Sequence, residues 1–187
     1  NGGKITVTAP AAGQTNRLMI KARAIHVSTN SSIDVSNTGL LGQQTTNSNN
    51  RGGGSYGGRG ADYGVNSDPA FGDYREPMEL GGGGKYNNGN QYRSGGSVYL
   101  EAEELILDGA IRADAYTNNV DTGASGPAGG SIWVNVGVLK GAGSMSAAGG
   151  QVGWWSYAAG GGGRIAVYYS ETNGFNLAKV TAKGGRN

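Results

Sequence analysis

The stretch Gly129-Gly130-Ser131-Ile132-Trp133-Val134-Asn135-Val136 carries the pattern on which the fold prediction depends. A glycine pair and one further residue precede a run in which apolar residues alternate with others, and this two-residue period is typical of a β-strand. Related runs occur at Leu18–Ala22, Val98–Ala102, Ile132–Val136 and Ile165–Tyr169, and the last three begin 34 and 33 residues apart. The chain is therefore predicted to be built from repeats.

Two shorter apolar runs follow these segments. The second run of a repeat is seen at Ile25–Val27, Leu105–Leu107 and, less cleanly, Leu139. The third run is seen at Ile33–Val35, Ile111–Ala113, Met145–Ala147 and Val180–Ala182, and Ile5–Val7 resembles part of an earlier repeat. Three short strands and a loop, stacked on the next repeat, predict an all-β chain folded as a right-handed parallel β-helix, or β-solenoid. An antiparallel sandwich or barrel with glycine turns is the alternative.

Stacking in this register also predicts which outward side chains are neighbours. Lys21 is expected beside Glu101, Arg23 beside Glu103, and Asp34 beside Arg112. Each pair joins opposite charges, and opposite charges on adjacent strands are favourable. The charges therefore support the proposed register.

Glycine is the most unusual feature of the composition. The chain has 38 glycines among 187 residues and only four prolines. There is no Gly-X-Y period, so a collagen triple helix is excluded. The whole of 1–187 is predicted to be one domain, with a long glycine-rich loop insertion at 40–94 and further long loops at 116–128 and 148–161. Glycine in these loops is expected to allow tight corners or backbone packing of extended, polyglycine-type segments.

Charge and cysteine content restrict the function. A formal charge of +2, with only 15% charged residues, is too weak and too scattered for a nucleic-acid surface. The Arg-Gly-Gly and Tyr-Gly-Gly pieces at 51–59 resemble RNA-binding tails, but an otherwise folded chain disfavours that interpretation. Zero cysteines exclude disulfides, and no apolar run is long enough for a membrane span. The sequence starts with Asn1-Gly2-Gly3 and not with methionine, so we expect it to be a processed product or a piece of a longer chain.

Longer motifs carry a resemblance to a family. These motifs are Ala61–Gly64, Phe71–Leu80 running into Gly81–Gly84, Gly129–Val134 with Gly141–Gly150, and the intact Gly-Gly-Gly-Gly-Arg-Ile-Ala-Val-Tyr-Tyr at 160–169. Together they resemble large glycine-rich secreted or cell-surface repeat proteins of bacteria, protists and plants. The resemblance implies a repetitive extracellular β-helix and an extracellular or cell-surface location. It implies no activity, because the family has no agreed catalytic residues to transfer.

One outward column is the candidate contact surface. Met19, Tyr99, Trp133 and Ala166 are expected at the same outward position of successive repeats. A ladder of exposed apolar and aromatic side chains is unusual on a soluble surface and indicates a contact surface. Stacked aromatic rings also suit sugar rings, so a glycan is the alternative occupant, and a loop folded over the ladder is the ordinary structural explanation. Trp154 and Trp155 in the third long loop belong to the same candidate surface.

Other candidate sites are weaker. Asn30-Ser31-Ser32 is a candidate N-glycosylation sequon. Asp62, Asp68 and Asp73 share one loop with oxygen-rich neighbours, as calcium ligands do, but their spacing matches no EF-hand, and solvated turn aspartates are the preferred interpretation. His26 is predicted to point outward without a partner ligand. We expect no catalytic residue, no metal and no cofactor.

These patterns predict a structural subunit or segment of an extracellular fibre or cell-surface protein. Because both ends of the chain show the repeat pattern without a capping element, head-to-tail association is expected, either along one long polypeptide or between identical subunits. A glycan-binding adhesive module is the alternative function. A polysaccharide-active enzyme is a third possibility, disfavoured because Glu101 and Glu103 face Lys21 and Arg23 rather than other acids.

Overall fold

The computed structural model describes residues 2–42, 52–62, 66–85, 91–117, 125–151 and 158–186. Strands are numbered in chain order. Four of the strands within these ranges are long, namely β2 (Arg17–Val27), β6 (Ser97–Leu107), β8 (Ser131–Lys140) and β10 (Arg164–Asn173). The other seven strands of the described residues are short, namely β1 (Lys4–Ile5), β3 (Ser32–Asp34), β4 (Gly84–Lys85), β5 (Gln91–Tyr92), β7 (Ala110–Arg112), β9 (Ser144–Ser146) and β11 (Val180–Thr181). A 3-10 turn covers Leu177–Lys179.

Most of these strands form two parallel sheets. The long sheet has the order β2-β6-β8-β10, and the short sheet has the order β1-β3-β7-β9-β11. A separate antiparallel pair joins β4 and β5. Since each long strand is followed in the chain by a strand of the short sheet, each repeat contributes one strand to each sheet.

The predicted right-handed parallel β-helix, with three short strands in each repeat, is wrong. The structure is all-β, but the parallel strands that it describes lie in two sheets rather than three. The first and second predicted strands of a repeat are one continuous strand of ten or eleven residues. The alternation of the sequence shifts at the point where this strand bends.

The bend lies at one row of residues across the long sheet. In the pairing of β2 with β6, Ala22 lies beside Ala102 and Ala24 lies beside Glu104. The residues between them, Arg23 and Glu103, are not part of the regular pairing. Leu100 and Leu105 are both fully buried although an odd number of positions separates them. In a regular strand, an odd separation places side chains on opposite faces, so the alternation slips by one residue at the bend. This slip resembles the end of one strand and the start of another.

The apolar core lies between the two sheets. Leu100, Leu105 and Val134 of the long sheet and Ile111 and Met145 of the short sheet are fully buried in it. Burial of such side chains supplies the main stabilising term of a fold. The equivalent side chains of the outermost long strands are only partly buried, at Leu18 and Ile20 in β2 and at Ile165 and Val167 in β10.

The predicted register is confirmed, and two of its three charge pairs form. Lys21 Nζ lies 2.8 Å from Glu101 Oε2, and Arg23 Nε lies 3.4 Å from Glu103 Oε2. Asp34 is paired with Arg112 along the backbone, as predicted. Its carboxylate, however, lies 2.9 Å from the Lys4 ammonium, which is contributed by β1 on the other side of β3.

The glycine-rich segments form a second buried unit, here called the glycine array. It contains the described parts of 52–60, 81–84, 94–96, 125–130, 147–150 and 158–163. Its segments are joined by backbone hydrogen bonds, such as Gly54 N–H to Gly126 O (2.9 Å) and Gly161 N–H to Gly54 O (2.9 Å). The predicted loop insertion at 40–94 is therefore packed over much of its described length. Glycine allows this because a side chain would fill the space that a neighbouring backbone occupies.

Candidate functional site

The predicted outward column exists in the long sheet. Cα pairing places Met19 beside Tyr99, Tyr99 beside Trp133, and Trp133 beside Ala166. Successive side chains of a strand point to opposite faces of the sheet. Val98 and Leu100 face the core, so Tyr99 between them faces outward, and the other members of the column are placed in the same way. The four residues are called the aromatic column below.

The aromatic column is exposed at one end and covered at the other. The rings of Tyr99 and Trp133 are stacked, with centroids 4.2 Å apart and planes 11° apart. Tyr168 of β10 packs against Trp133 at 6.0 Å. Met19 is 54% exposed, whereas Trp133 is only 8% exposed. The free contact surface is therefore smaller than the sequence pattern suggested.

A folded-back segment, residues 71–79, lies against the covered end. The Arg164 guanidinium donates two hydrogen bonds to Phe71 O, at 2.8 and 3.1 Å. The Tyr168 hydroxyl donates to Arg75 O at 2.7 Å, and the same Tyr168 ring contacts Trp133. Both donors belong to β10. At the end of the aromatic column that contains Trp133, these contacts therefore favour the ordinary structural explanation, in which a loop folds over the column.

A charged cluster lies beside the exposed end. The Lys21 ammonium lies 5.6 Å from the Tyr99 ring centre, and the Tyr99 hydroxyl donates to Glu101 Oε2 at 3.2 Å. The hydrogen bond and charge of Glu101 raise the pKa of Lys21. The hydrogen bonds from Lys21 and Tyr99 hold the pKa of Glu101 below its usual range. Partial burial and, to a smaller extent, the hydrogen bond and the charge of Glu101 raise the pKa of Tyr99. These groups keep their ordinary charges at neutral pH.

A shallow groove of about 380 Å³ follows the bend of the long sheet. Polar and charged side chains from all four long strands line it, among them Lys21, Glu101, Glu103, Asn135 and Ser170. Within it, Glu101 and Glu103 are each engaged by a cation of β2. The groove is therefore a polar strip next to the aromatic column, with its acids already paired.

A buried anchor holds the 71–79 segment, and sequence reasoning missed it. Tyr56 is fully buried, and its hydroxyl donates to Glu79 Oε2 at 3.0 Å. Burial, with the charge of Glu79, raises the pKa of Tyr56. Arg164 lies 5.6 Å from the Tyr56 ring centre, and Ser131 Oγ donates to Glu79 O at 2.9 Å. Tyr56 stands in a glycine-rich stretch without alternation, so no sequence signal indicated its burial.

Asn30 lies in the turn between β2 and β3. It is exposed and has a φ of 66°, a left-handed conformation that asparagine tolerates better than most residues. Exposed turns are the usual position of glycosylation acceptors. Glycosylation of Asn30 stays a prediction. Trp154 and Trp155 lie outside the described residues.

The three aspartates of the candidate calcium loop do not converge. Asp62 accepts hydrogen bonds from Arg59 at 3.0 and 3.1 Å and from Ser67. Asp73 Oδ1 accepts a hydrogen bond from Arg75 N–H in its own turn, at 2.7 Å. Burial raises the pKa of Asp68. In the described ranges, no group of three or more His, Asp or Glu side chains is placed to hold a metal ion.

His26 points outward, as predicted, and its Nε2 lies 3.4 Å from Asp108 Oδ2. No helix within the described part of the chain has the length and apolar character needed to cross a membrane.

No protein-family model, curated protein or solved structure matches the sequence. The resemblance to glycine-rich surface proteins therefore stays a prediction.

Proposed function

We propose that this chain is a structural subunit or segment of an extracellular fibre or cell-surface protein. In this role its parallel sheets continue from one unit into the next. The observation that carries the proposal is the arrangement of the outermost strands. The long sheet ends at β2 and β10, the short sheet ends at β1 and β11, and no further strand lies beside them in the described ranges. Strand edges of this kind pair readily with another chain.

Burial along the long sheet supports the same role. Val98 and Leu100 of the inner strand β6 are 1% and 0% exposed. Leu18 and Ile20 occupy the equivalent positions of the outer strand β2 and are only partly buried. An added strand would cover them, and each square ångström of apolar surface removed from water contributes about 25 cal/mol. The extracellular location rests on the sequence resemblance and stays a prediction.

Electron microscopy and sedimentation of the native material test this proposal. We expect rods of constant width, because strand addition continues in one direction. Replacing Val167 of the outer strand β10 by Lys places a charge at the junction and is expected to shorten the assemblies. Glu171→Lys, on the exposed part of the same strand, is the matched control. Discrete monomers whose outer strands are covered by their own chain would contradict the proposal.

A glycan-binding adhesive module is the second candidate. The observation that favours it is the polar groove beside the stacked Tyr99 and Trp133 rings, since sugar recognition combines ring stacking with polar contacts. Isothermal titration with neutral and acidic oligosaccharides tests it. Binding that is lost in Tyr99→Ala and kept in Tyr74→Ala, a control at an exposed tyrosine, would support this function. An absence of binding across the set would remove it.

A further inference from the structure

A groove of about 520 Å³, here called the corner groove, lies where each long strand turns into the short sheet. Its lining comes from the same corner of successive repeats, at 29–32, 108–110, 142–144 and Lys179. These segments lead into β3, β7, β9 and β11, which are neighbours in the short sheet. The corner groove therefore runs along the direction in which the repeats stack, and its shape suits an extended, linear ligand.

Small residues make up much of the lining of the corner groove. Gly109, Ala110, Ala142 and Gly143 contribute to it. A Cβ at Gly109 would overlap Ser31 O, and one at Gly143 would overlap Gly109 O. The packing of successive repeats therefore requires glycine at these corners, and a ligand can approach the main chain closely.

Hydroxyl groups also line the corner groove. Ser32 pairs with Ala110, and Ala110 pairs with Ser144, so these three residues form one row. The row faces away from the core, because the next residues of two of its strands, Ile33 and Met145, are buried in the core. Ser32 and Ser144 are partly exposed, and a serine hydroxyl can both donate and accept hydrogen bonds. A hydroxyl-rich ligand is suited to such partners.

Arg112 supplies a cation to the corner groove. Its backbone neighbour Asp34 is engaged by Lys4, whose ammonium lies 2.9 Å from the Asp34 carboxylate. Asp114, two residues further along the chain, accepts a hydrogen bond from Ser146 Oγ at 2.8 Å. Arg112 is exposed, and it forms no ion pair within the described part of the chain. Its guanidinium is therefore open to an anionic group, which it can bind through two parallel hydrogen bonds.

Lys179 supplies a second cation, from a different repeat. Its Nζ donates to Ala142 O at 2.6 Å, and one hydrogen bond leaves an ammonium with further donors. The acid of the lining, Asp108, is already engaged, because it accepts from Ala142 N–H at 3.1 Å and lies 3.4 Å from His26 Nε2. The corner groove therefore presents two cations whose remaining donors face no acid of the lining that lacks a partner.

We infer that the corner groove binds a linear acidic oligosaccharide. Its anionic groups contact Arg112 and Lys179, and its sugar hydroxyls bond Ser32 and Ser144. Charge complementarity selects an acidic ligand. Because the two cations belong to different repeats, a chain with several anionic groups suits them better than a single small anion. The hydroxyl groups of the lining favour a sugar over an acidic peptide.

This inference adds a partner to the proposed structural role and does not depend on it. The site is separate from the groove beside the aromatic column, which is lined by the long strands. A carboxylate and a sulfate ester supply the same chemistry, since the arginine fork binds planar and tetrahedral oxyanions alike.

Isothermal titration of the full chain, produced without N-glycosylation, tests the inference. The probe is a trimer of galacturonic acid, and maltotriose is the neutral trimer. We expect the Kd of the acidic trimer to rise about three- to tenfold in Arg112→Gln and in Lys179→Gln. Arg112→Lys keeps the charge and is expected to retain part of the affinity. Each variant is first shown to be folded by its thermal transition.

Matched control variants remove exposed cations outside the corner groove. Arg17→Gln and Lys183→Gln are expected to leave the Kd unchanged. A sulfated maltotriose is titrated as well, and the tighter of the two acidic trimers identifies the anionic group that the site prefers.

Several outcomes would overturn the inference. Equal binding of maltotriose would remove the role of charge, and equal binding of inorganic sulfate or of triglutamate would remove the linear sugar. Loss of binding in Tyr99→Ala, with no change in Arg112→Gln, would place the ligand at the aromatic column instead. An absence of binding by both acidic trimers would remove the site. The proposed structural role is tested separately, by microscopy of the native material.

Discussion

Gly161 shows how single residues shape the glycine array. Its N–H donates to Gly54 O at 2.9 Å, and its carbonyl accepts from Gly129 N–H at 3.0 Å. A Cβ at this position would overlap the backbone of Gly58. The absence of a side chain is therefore a steric requirement of three segments that meet here.

Gly161→Ala is expected to lower the free energy of unfolding. Overpacking a buried position costs about 1–3 kcal/mol, and here the opposing atoms are backbone that moves little. Gly3→Ala is the matched control, since nothing lies within 4 Å of a Cβ built there. Chemical denaturation of both variants measures the effect. Equal stabilities would show that the array tolerates side chains.

Asp34 makes one contribution to stability depend on pH. Burial alone raises the pKa of its carboxyl, but hydrogen bonds from Ser36 and the ion pair with Lys4 outweigh burial, so the pKa lies below its ordinary value of 3.8. The unfolded chain therefore takes up the proton first on acidification. The stabilisation is present above the ordinary pKa and is lost as the pH falls through the lower folded-state pKa.

Asp34→Asn is expected to be less stable than the parent chain at pH 7, by about 1 kcal/mol. This difference should shrink as the pH falls below the ordinary pKa of 3.8. Urea denaturation of both chains at several pH values measures it. A difference that stays constant or grows on acidification would show that the ionised carboxylate is not the stabilising form.

At the scale of the element, neighbouring long strands are held in register by charge as well as by the core. Glu101→Lys is expected to destabilise the fold modestly by removing the 2.8 Å pair with Lys21, and adding Lys21→Glu is expected to restore part of the loss. The control cycle combines Lys21→Glu with Glu171→Lys, on the two outermost long strands. Strict additivity in the first cycle would contradict the coupling.

Alternation made the long strands predictable, and the same signal failed at their bend. Between Val98 and Leu100 the apolar period is two, so the strand and its register followed from the sequence. Between Ala102 and Leu105 the period slips, and a continuous strand was divided into two. The glycine array was foreseen only as a possibility, because glycine has no side chain whose pattern could indicate its partners.

The candidate site, like the fold, was predictable from the sequence only where it depends on strand register. The neighbouring positions of Met19, Tyr99 and Trp133 follow from the register, while their role as a contact surface stays a prediction. Trp133 packs against Tyr168, whose hydroxyl donates to Arg75 O, and these residues come together only through contacts distant in the sequence. Tyr56 and Glu79, which anchor the 71–79 segment, likewise lack a local pattern.

At the scale of the whole molecule, the sheets and the glycine array share the same repeats. Gly130 N–H donates to Ala113 O at 2.8 Å, and Gly163 N–H donates to Ala147 O at 2.8 Å, which joins the array to the ends of β7 and β9. Adding a repeat therefore extends the core and the array together. Such growth suits a structural role better than a role that needs one enclosed site.

The central claim is that the parallel sheets continue from one unit into the next along a single axis. X-ray diffraction from oriented native material tests it most directly. The strands then lie across the axis, so we predict a strong meridional reflection near 4.8 Å, the spacing of neighbouring strands. A pattern without this reflection, or with the spacing on the equator, would contradict continuation of the sheets along the assembly.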